Sequence, residues 1–280
     1  MPRDLTGKVI IITGASSGIG AATAIACAEA GIDVVLNARR AENLNTIAGQ
    51  VKSRGRTAAI VVGDVAQPGM SEAMLDAAIT HFGGLDFVFA NAGYGFHLPM
   101  TQTSQSMLRE IFEVNFFAGV DLIQKAASWL IDQKRPGHLL MCSSCLARFT
   151  IAQHGPYCAT KASQNHICRA MNMELKPHNI HVSSVHPVGT RTEFFEVSAK
   201  FTGGSEYADM IANNTPRMFM QSPQRVAKAI VKCLRRPTSE VWTSPSIRCI
   251  AALMTAFPRF GDFVMSRAER QARNVTSQRR

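Results

Sequence analysis

Apolar positions along the chain fall into two rhythms that take turns. Short strand-like runs, the plainest of them the β-branched 9–13, lie at 9–13, 33–37, 57–62, 87–90, 138–141, 181–186 and 240–243. A run with no polar alternation reads as a strand covered on both faces. Between these runs, apolar residues recur every three to four positions at 41–54, 71–82, about 101–131 and 223–235, the period of an amphipathic helix. The small apolar stretch 21–30, stopped by Gly31, reads as another helix. Strand and helix alternating in this way predict a parallel sheet with right-handed crossovers and helices on both faces.

The joint between the first strand and its helix is Thr13-Gly14-Ala15-Ser16-Ser17-Gly18-Ile19-Gly20. It leaves bare backbone N–H groups at a helix N-terminus, where an anion binds well. Other chemistry-bearing residues gather where later strands end. The second strand runs out at Ala38-Arg39-Arg40, the third at Gly63-Asp64-Val65 and the fourth at Asn91-Ala92-Gly93. Asn115 stands inside the long periodic stretch, where its amide competes for backbone hydrogen bonds. The fifth strand ends at Cys142-Ser143-Ser144, and thirteen residues beyond Ser144 comes Tyr157, followed by Lys161. Tyr157 and Lys161, four apart, share one helix face. Pro156 suits that helix's first turn.

Taken in order, Thr-Gly-x-x-x-Gly-Ile-Gly, Asn-Ala-Gly, Ser144 and Tyr157-x-x-x-Lys161 resemble the short-chain dehydrogenase/reductase family over about residues 5–245. The resemblance implies a Rossmann-like, doubly wound α/β fold with seven parallel strands ordered 3-2-1-4-5-6-7. It implies a dinucleotide held by Gly14, Ser16, Ser17, Gly18, Ile19 and Gly20, by Asp64 and Val65 at the adenine, and by Asn91, Ala92 and Gly93. Tyr157 and Lys161 would meet the nicotinamide ribose, and Pro187, Gly189, Thr190 and Thr192 the nicotinamide and diphosphate side. This chain has Pro187-Val188-Gly189 where the family usually has Pro-Gly. The place of an acidic ribose ligand holds Ala38, with Arg39 next, and a guanidinium fork suits a phosphate dianion. NADP(H) is therefore expected over NAD(H), the preference resting on Arg39 with Arg40 nearby. Ser17 stands where many NADP-dependent relatives carry a second basic residue.

Hydride transfer to a carbonyl leaves an alkoxide that needs a proton. A tyrosine can donate it, and a neighbouring ammonium draws the phenol's pKa of about 10 downward. Tyr157 is thus expected as general acid/base, Lys161 as the group that tunes it, Ser144 as the substrate-orienting hydroxyl with Ser143 the alternative, and Asn115 as holder of a relay water. The expected activity is interconversion of an alcohol with a ketone or aldehyde. A substrate lid falls over about 190–220, and its Phe and Met content suits a hydrophobic substrate. Tyr94, Phe96, Leu98, Met100, Phe149 and Phe195 are pocket candidates. His154 and His186 read as bystanders.

Composition narrows the classes. At 46% hydrophobic and 18% charged residues the chain can bury a large core. No signal peptide or membrane-spanning run is legible, and seven cysteines, an odd count, fit free thiols in a cytoplasmic, reducing setting. No nucleic-acid motif or metal cluster is evident. The net charge of +10 lies wholly in residues 217–280, which hold 13 Lys/Arg and 3 Asp/Glu. Residues 1–245 read as one domain and 246–280 as a basic amphipathic extension, with Ile247, Ile250, Ala251, Met254 and Phe257 at helical spacing, a break at Pro258, and a second apolar set from Phe260. It packs on the domain near the lid, extends a subunit interface, or touches an anionic membrane surface peripherally. The family resemblance implies a homodimer or homotetramer. Two other classes compete: a non-catalytic NADP(H) sensor, which needs no proton donor, and a sugar-nucleotide epimerase or dehydratase, which carries a different glycine spacing.

Overall fold

The computed structural model describes residues 1–190 and 220–277, without the side chains of 268–277. The chain alternates β1 (Val9–Thr13), α1 (Gly18–Glu29), β2 (Asp33–Ala38), α2 (Ala41–Lys52), β3 (Ala58–Val62), α3 (Met70–Phe82) and β4 (Phe87–Ala90). There follow α4 (Gln105–Phe112), α5 (Ala118–Asp132), β5 (Gly137–Cys142), α6 (Gly155–Glu174) and β6 (Ile180–His186). After two-residue strands β7 (Gly189–Thr190) and β8 (Met220–Gln221) come α7 (Pro223–Arg235), β9 (Glu240–Trp242), α8 (Pro245–Ala256) and α9 (Pro258–Ser277).

The main sheet has seven strands in the order β3-β2-β1-β4-β5-β6-β9, every pair parallel. This is the expected 3-2-1-4-5-6-7 pattern, its seventh strand being β9. Successive side chains on a strand point to opposite faces, and the core divides accordingly. Ile10, Ile12, Leu36, Phe89 and Leu140 pack with Cys27, Leu44, Val226 and Ile230 of α1, α2 and α7. Ile11, Val35, Val88, Leu139 and Val182 pack on the other face with Met74, Leu122, Leu130 and Cys168 of α3, α5 and α6. Two covered faces explain why β1 and β4 are almost wholly apolar, while β6 buries Ser183, Ser184 and His186 in hydrogen bonds.

The single periodic stretch expected at about 101–131 is three pieces. A 3-10 turn (Met100–Gln102) precedes α4, whose cap Ser104 accepts from Met107 N–H at 3.2 Å, and a π turn (Glu113–Phe117) joins α4 to α5. The extra residue of a π turn takes Asn115 out of the ordinary helical ladder.

Beyond β9, Ser244 caps α8, and Ile247, Ala251 and Met254 of α8 are buried. Ile247 packs against Cys145 and Val188. Gly261 of α9 lies against Met254, while Leu253, Phe257, Phe260 and Phe263 are exposed. Pro258 opens α9, as its sequence position suggests. The expected lid, with Thr192 and Phe195, lies outside the described residues except at its ends, where β7 and β8 pair in parallel. Among the described residues no helix is long and apolar enough to cross a membrane.

Candidate active site

The C-terminal ends of β1, β4, β5 and β6 come out at one edge of the sheet, and the loops that leave them build a single site. The glycine turn is its floor. Gly14 (φ +64°) and Gly18 (φ +56°) adopt left-handed backbone that side chains disfavour. A Cβ on Gly20 would run into the Gly14 carbonyl oxygen, so α1 can lie this close to β1 only with a glycine there.

Thr13 ties β1 to β4. Its buried Oγ1 accepts from the backbone N–H groups of Asn91 and Ala92, both at 2.9 Å. Asn91 in turn donates from Nδ2 to the Thr13 carbonyl at 3.0 Å. Asn91 therefore braces two loops with its side chain. Thr13 was no site candidate from sequence; the only signal is a polar residue closing an apolar run.

The two arginines after β2 lie differently. Arg39 is 76% exposed at its side chain and approaches Asp64 Oδ2 at 3.5 Å. The other Asp64 oxygen accepts from Ala66 N–H at 3.1 Å, and Val65 lies in that turn. Arg40 reaches back over the glycine turn and donates from Nη2 to Ser16 Oγ at 3.1 Å and Ser17 Oγ at 3.0 Å. The cation lying over the glycine turn is thus Arg40. Ile19 packs into the core beneath this turn.

Asn115 is 1% exposed, and every polar atom of its amide is engaged. Oδ1 accepts from Tyr94 N–H at 2.9 Å, while Nδ2 donates to the Tyr94 carbonyl at 2.8 Å and to Thr160 Oγ1 at 3.1 Å. Its own carbonyl accepts from Gln164 Nε2. Asn115 so fastens the Gly93–Tyr94 loop to α6, and a Cβ on Gly93 would sit 2.9 Å from Asn115 Oδ1. Thr160 and Gln164, unforeseen from sequence, complete this junction.

Helix α6 carries the expected pair. Lys161 is buried, and its Nζ donates to the Cys142 carbonyl at 2.6 Å, 5.5 Å from the centre of the Tyr157 ring. The amine therefore meets the phenol at its ring. Ser143 and Ser144 point different ways. Ser143 Oγ donates to the Lys161 carbonyl at 2.8 Å. Ser144 hydrogen-bonds the Tyr157 hydroxyl and accepts from Leu146 N–H at 3.1 Å as cap of the short turn Cys145–Ala147. Of the two serines, Ser144 is the one that meets Tyr157.

Burial holds both titratable groups toward their neutral forms. It pushes the Tyr157 phenol well above its ordinary value, the Ser144 hydroxyl pulling the other way, and it lowers the Lys161 ammonium. The downward shift expected of Tyr157 from its lysine is not found, and burial sets the direction. Tyr94 is pushed up to about 12 by burial and by Glu110. Of the pocket candidates, Phe96 is buried and Met100 exposed.

On the β6 side, the Pro187 carbonyl accepts from Cys145 N–H at 3.0 Å. Gly189 and Thr190 form β7, and Thr190 Oγ1 donates to the Val188 carbonyl at 2.8 Å. His186 Nδ1 lies 2.9 Å from the Ser144 carbonyl oxygen. Cys142 and Cys145 are free thiols, and among the described residues no group of His, Cys, Asp or Glu is arranged to hold a metal.

Comparison with known proteins agrees with this geometry. The family model described as short chain dehydrogenase matches residues 8–202. An uncharacterized oxidoreductase of Listeria innocua is 29% identical over 235 residues, covering 83% of this chain and 92% of that one. Another, of Mycobacterium tuberculosis, is 30% identical over 227 residues, covering 81% and 85%. Among solved structures, a short-chain type dehydrogenase/reductase from Mycobacterium marinum superposes with a TM-score of 0.77 at 30% identity, covering 88% of this chain and 97% of that one. A short-chain dehydrogenase/reductase from Burkholderia phymatum, solved in complex with NAD, has a TM-score of 0.80 at 21% identity, covering 94% and 96%.

The Thr13 brace makes a prediction. Thr13→Val keeps shape and removes the acceptor of two backbone N–H groups. Denaturant unfolding should show a loss of about 2–4 kcal/mol. Unchanged stability would mean those N–H groups find other partners.

Proposed function

Because the chain belongs to the short-chain dehydrogenase/reductase family, we propose that it is an NADP(H)-dependent oxidoreductase interconverting an alcohol and a ketone or aldehyde on a hydrophobic substrate. The observation that carries this reading is the meeting of the Ser144 and Tyr157 hydroxyls with Lys161 beneath the phenol ring. A non-catalytic dinucleotide sensor has no use for that set.

The residues fit the cofactor. The glycine turn is a cradle that a Cβ at Gly20 would close. Beside Thr190, which accepts from Gln221 Nε2 at 3.4 Å, the buried Gln221 Oε1 has no hydrogen-bond partner. Gly14, Ser16, Ser17, Gly18, Ile19 and Gly20 would hold the diphosphate side, with Asp64, Val65, Asn91, Ala92 and Gly93 along the adenosine half. Pro187, Gly189, Thr190 and Thr192 would border the nicotinamide. When bound, the dinucleotide supplies the hydride.

The chain's own groups do the rest. Ser144 Oγ orients the carbonyl oxygen by hydrogen bonding it. Tyr157, kept protonated by burial, gives its proton to the oxygen on which charge develops. Lys161, under the ring, favours the phenolate left behind and would hold the ribose. Asn115 keeps the Gly93 loop and α6 in register and anchors the relay that returns a proton. The last helices are read as part of the domain wall, because Ile247, Ala251 and Met254 are buried against it. Phe117, 52% exposed on the π turn that holds Asn115, and Met173, 71% exposed on α6, support a homodimer or homotetramer through the helices carrying Asn115 and Tyr157; a monomer in sedimentation would remove that assembly.

Tyr157→Phe should cut carbonyl reduction by at least about 10²-fold while NADPH still binds. Steady-state rates on a panel of ketones and aldehydes check this, and near-normal turnover would refute it. For the cofactor, Arg39→Gln and Arg40→Gln should each raise KM for NADPH by about tenfold or more and leave that for NADH nearly unchanged. Equal effects on both cofactors would assign neither arginine to the 2′-phosphate.

A further inference from the structure

His186 closes β6 and is 0% exposed. One face of its ring stacks on Trp242, centroids 4.5 Å apart and planes 8° from parallel. Trp242 is fixed in turn by a 2.9 Å hydrogen bond from Nε1 to Glu240, whose carboxylate is gripped by Arg148 and approached by Arg169 at 3.5 Å. The imidazole is therefore held in its plane and cannot swing.

Its two nitrogens are also committed. A carbonyl oxygen only accepts, so the 2.9 Å contact with Ser144 puts the ring proton on Nδ1. Nε2, 2.9 Å from Ser184 Oγ, is then the acceptor in the neutral ring. Burial pushes the imidazole down to about 4, which keeps it neutral near pH 7. Ser184 Oγ also lies 2.9 Å from the Asn165 side-chain oxygen site. One hydroxyl proton serves one acceptor, so with Nε2 accepting, the Asn165 amide presents its NH2 group to Ser184.

The effect converges on one residue. β5 ends at Cys142, yet two further bonds continue the seam toward β6: Cys145 N–H to the Pro187 carbonyl at 3.0 Å, and His186 Nδ1–H to the Ser144 carbonyl. The Ser144 peptide is pinned on its carbonyl by His186, and its side chain by Leu146 N–H at 3.1 Å. With both fixed, the hydroxyl faces Tyr157.

We propose that His186 is a positioning residue for the reaction: its Nδ1–H, oriented by Ser184 and Trp242, fixes the Ser144 peptide so that the Ser144 hydroxyl stays on the substrate side of Tyr157. The proposal rests on the oxidoreductase reading above and names what keeps its serine in place. An asparagine amide puts an N–H donor close to the Nδ1 site, a glutamine amide nearer Nε2, and leucine puts none.

The test compares H186N, H186Q and H186L with the unmodified chain in kcat for carbonyl reduction, solvent deuterium isotope effect on kcat, and NADPH affinity by fluorescence titration. H186L and H186Q should lose about 10–100-fold in kcat and show a larger isotope effect, since a displaced Ser144 slows the proton transfer. NADPH affinity should stay within about twofold, because no cofactor-holding atom changes. H186N should recover most of kcat. Should H186L fail to fold, the contrast between the two amides decides. Equal rates for H186N and H186Q, or full activity in H186L, would overturn the proposal and leave the oxidoreductase reading standing. An unmodified chain inactive on every carbonyl tried would overturn both.

Discussion

A buried ammonium governs the site. Lys161 lies inside the fold, where an unpaired charge costs several kcal/mol. The Cys142 carbonyl accepts a hydrogen bond from its Nζ at 2.6 Å, and one residue on, Ser143 donates to the Lys161 carbonyl. Two consecutive residues at the end of β5 thus clasp one residue of α6 by its head and its backbone. The helix can neither slide nor turn without breaking a buried hydrogen bond. That register sets Tyr157, one turn earlier, against Ser144, the next residue after the clasp.

Around this clasp the protein spends regularity for position. The π turn at Glu113–Phe117 interrupts a helix that its apolar pattern would otherwise continue. It frees Asn115 to bind both polar groups of Tyr94 and the Thr160 hydroxyl. Thr160 in turn donates to the Tyr157 carbonyl at 2.8 Å. The loop beside Gly93 and the helix carrying Tyr157 are therefore held by one side chain. Irregular helix at a functional site is the usual outcome when local preference and site geometry disagree.

The departure from Pro-Gly after β6 has a packing counterpart. Val188 is 6% exposed and joins Cys145 and Ile247 in a small apolar cluster. A glycine there would leave Ile247 with less to pack against. The side chain that makes this chain unusual also docks α8 beside the turn that Ser144 caps, and Thr255 of α8 adds a 3.1 Å bond to the Arg148 carbonyl. Helix α8 is thereby packed against the turn that follows β5.

Sequence alone determined what repeats locally. Runs such as Val9–Thr13 and Phe87–Ala90 showed the sheet because strands covered on both faces are mostly apolar, and the glycine turn showed itself because its positive-φ backbone favours glycine. Tyr157 and Lys161 were legible because four residues make one helical turn. Ser144 was separated from Ser143 by spacing, and the directions of their hydroxyls agree. What required the tertiary structure were pairings between distant segments. Arg40 rather than Arg39 reaches Ser16 and Ser17, which stand 24 and 23 residues away. His186 meets Ser144 across 42 residues, and Thr13 meets Asn91 across 78. No period marks such contacts, because each depends on where two loops emerge from the sheet edge once the core has closed. The strand order brings those loops together, and the chain's local chemistry carries no record of which neighbour each side chain will find.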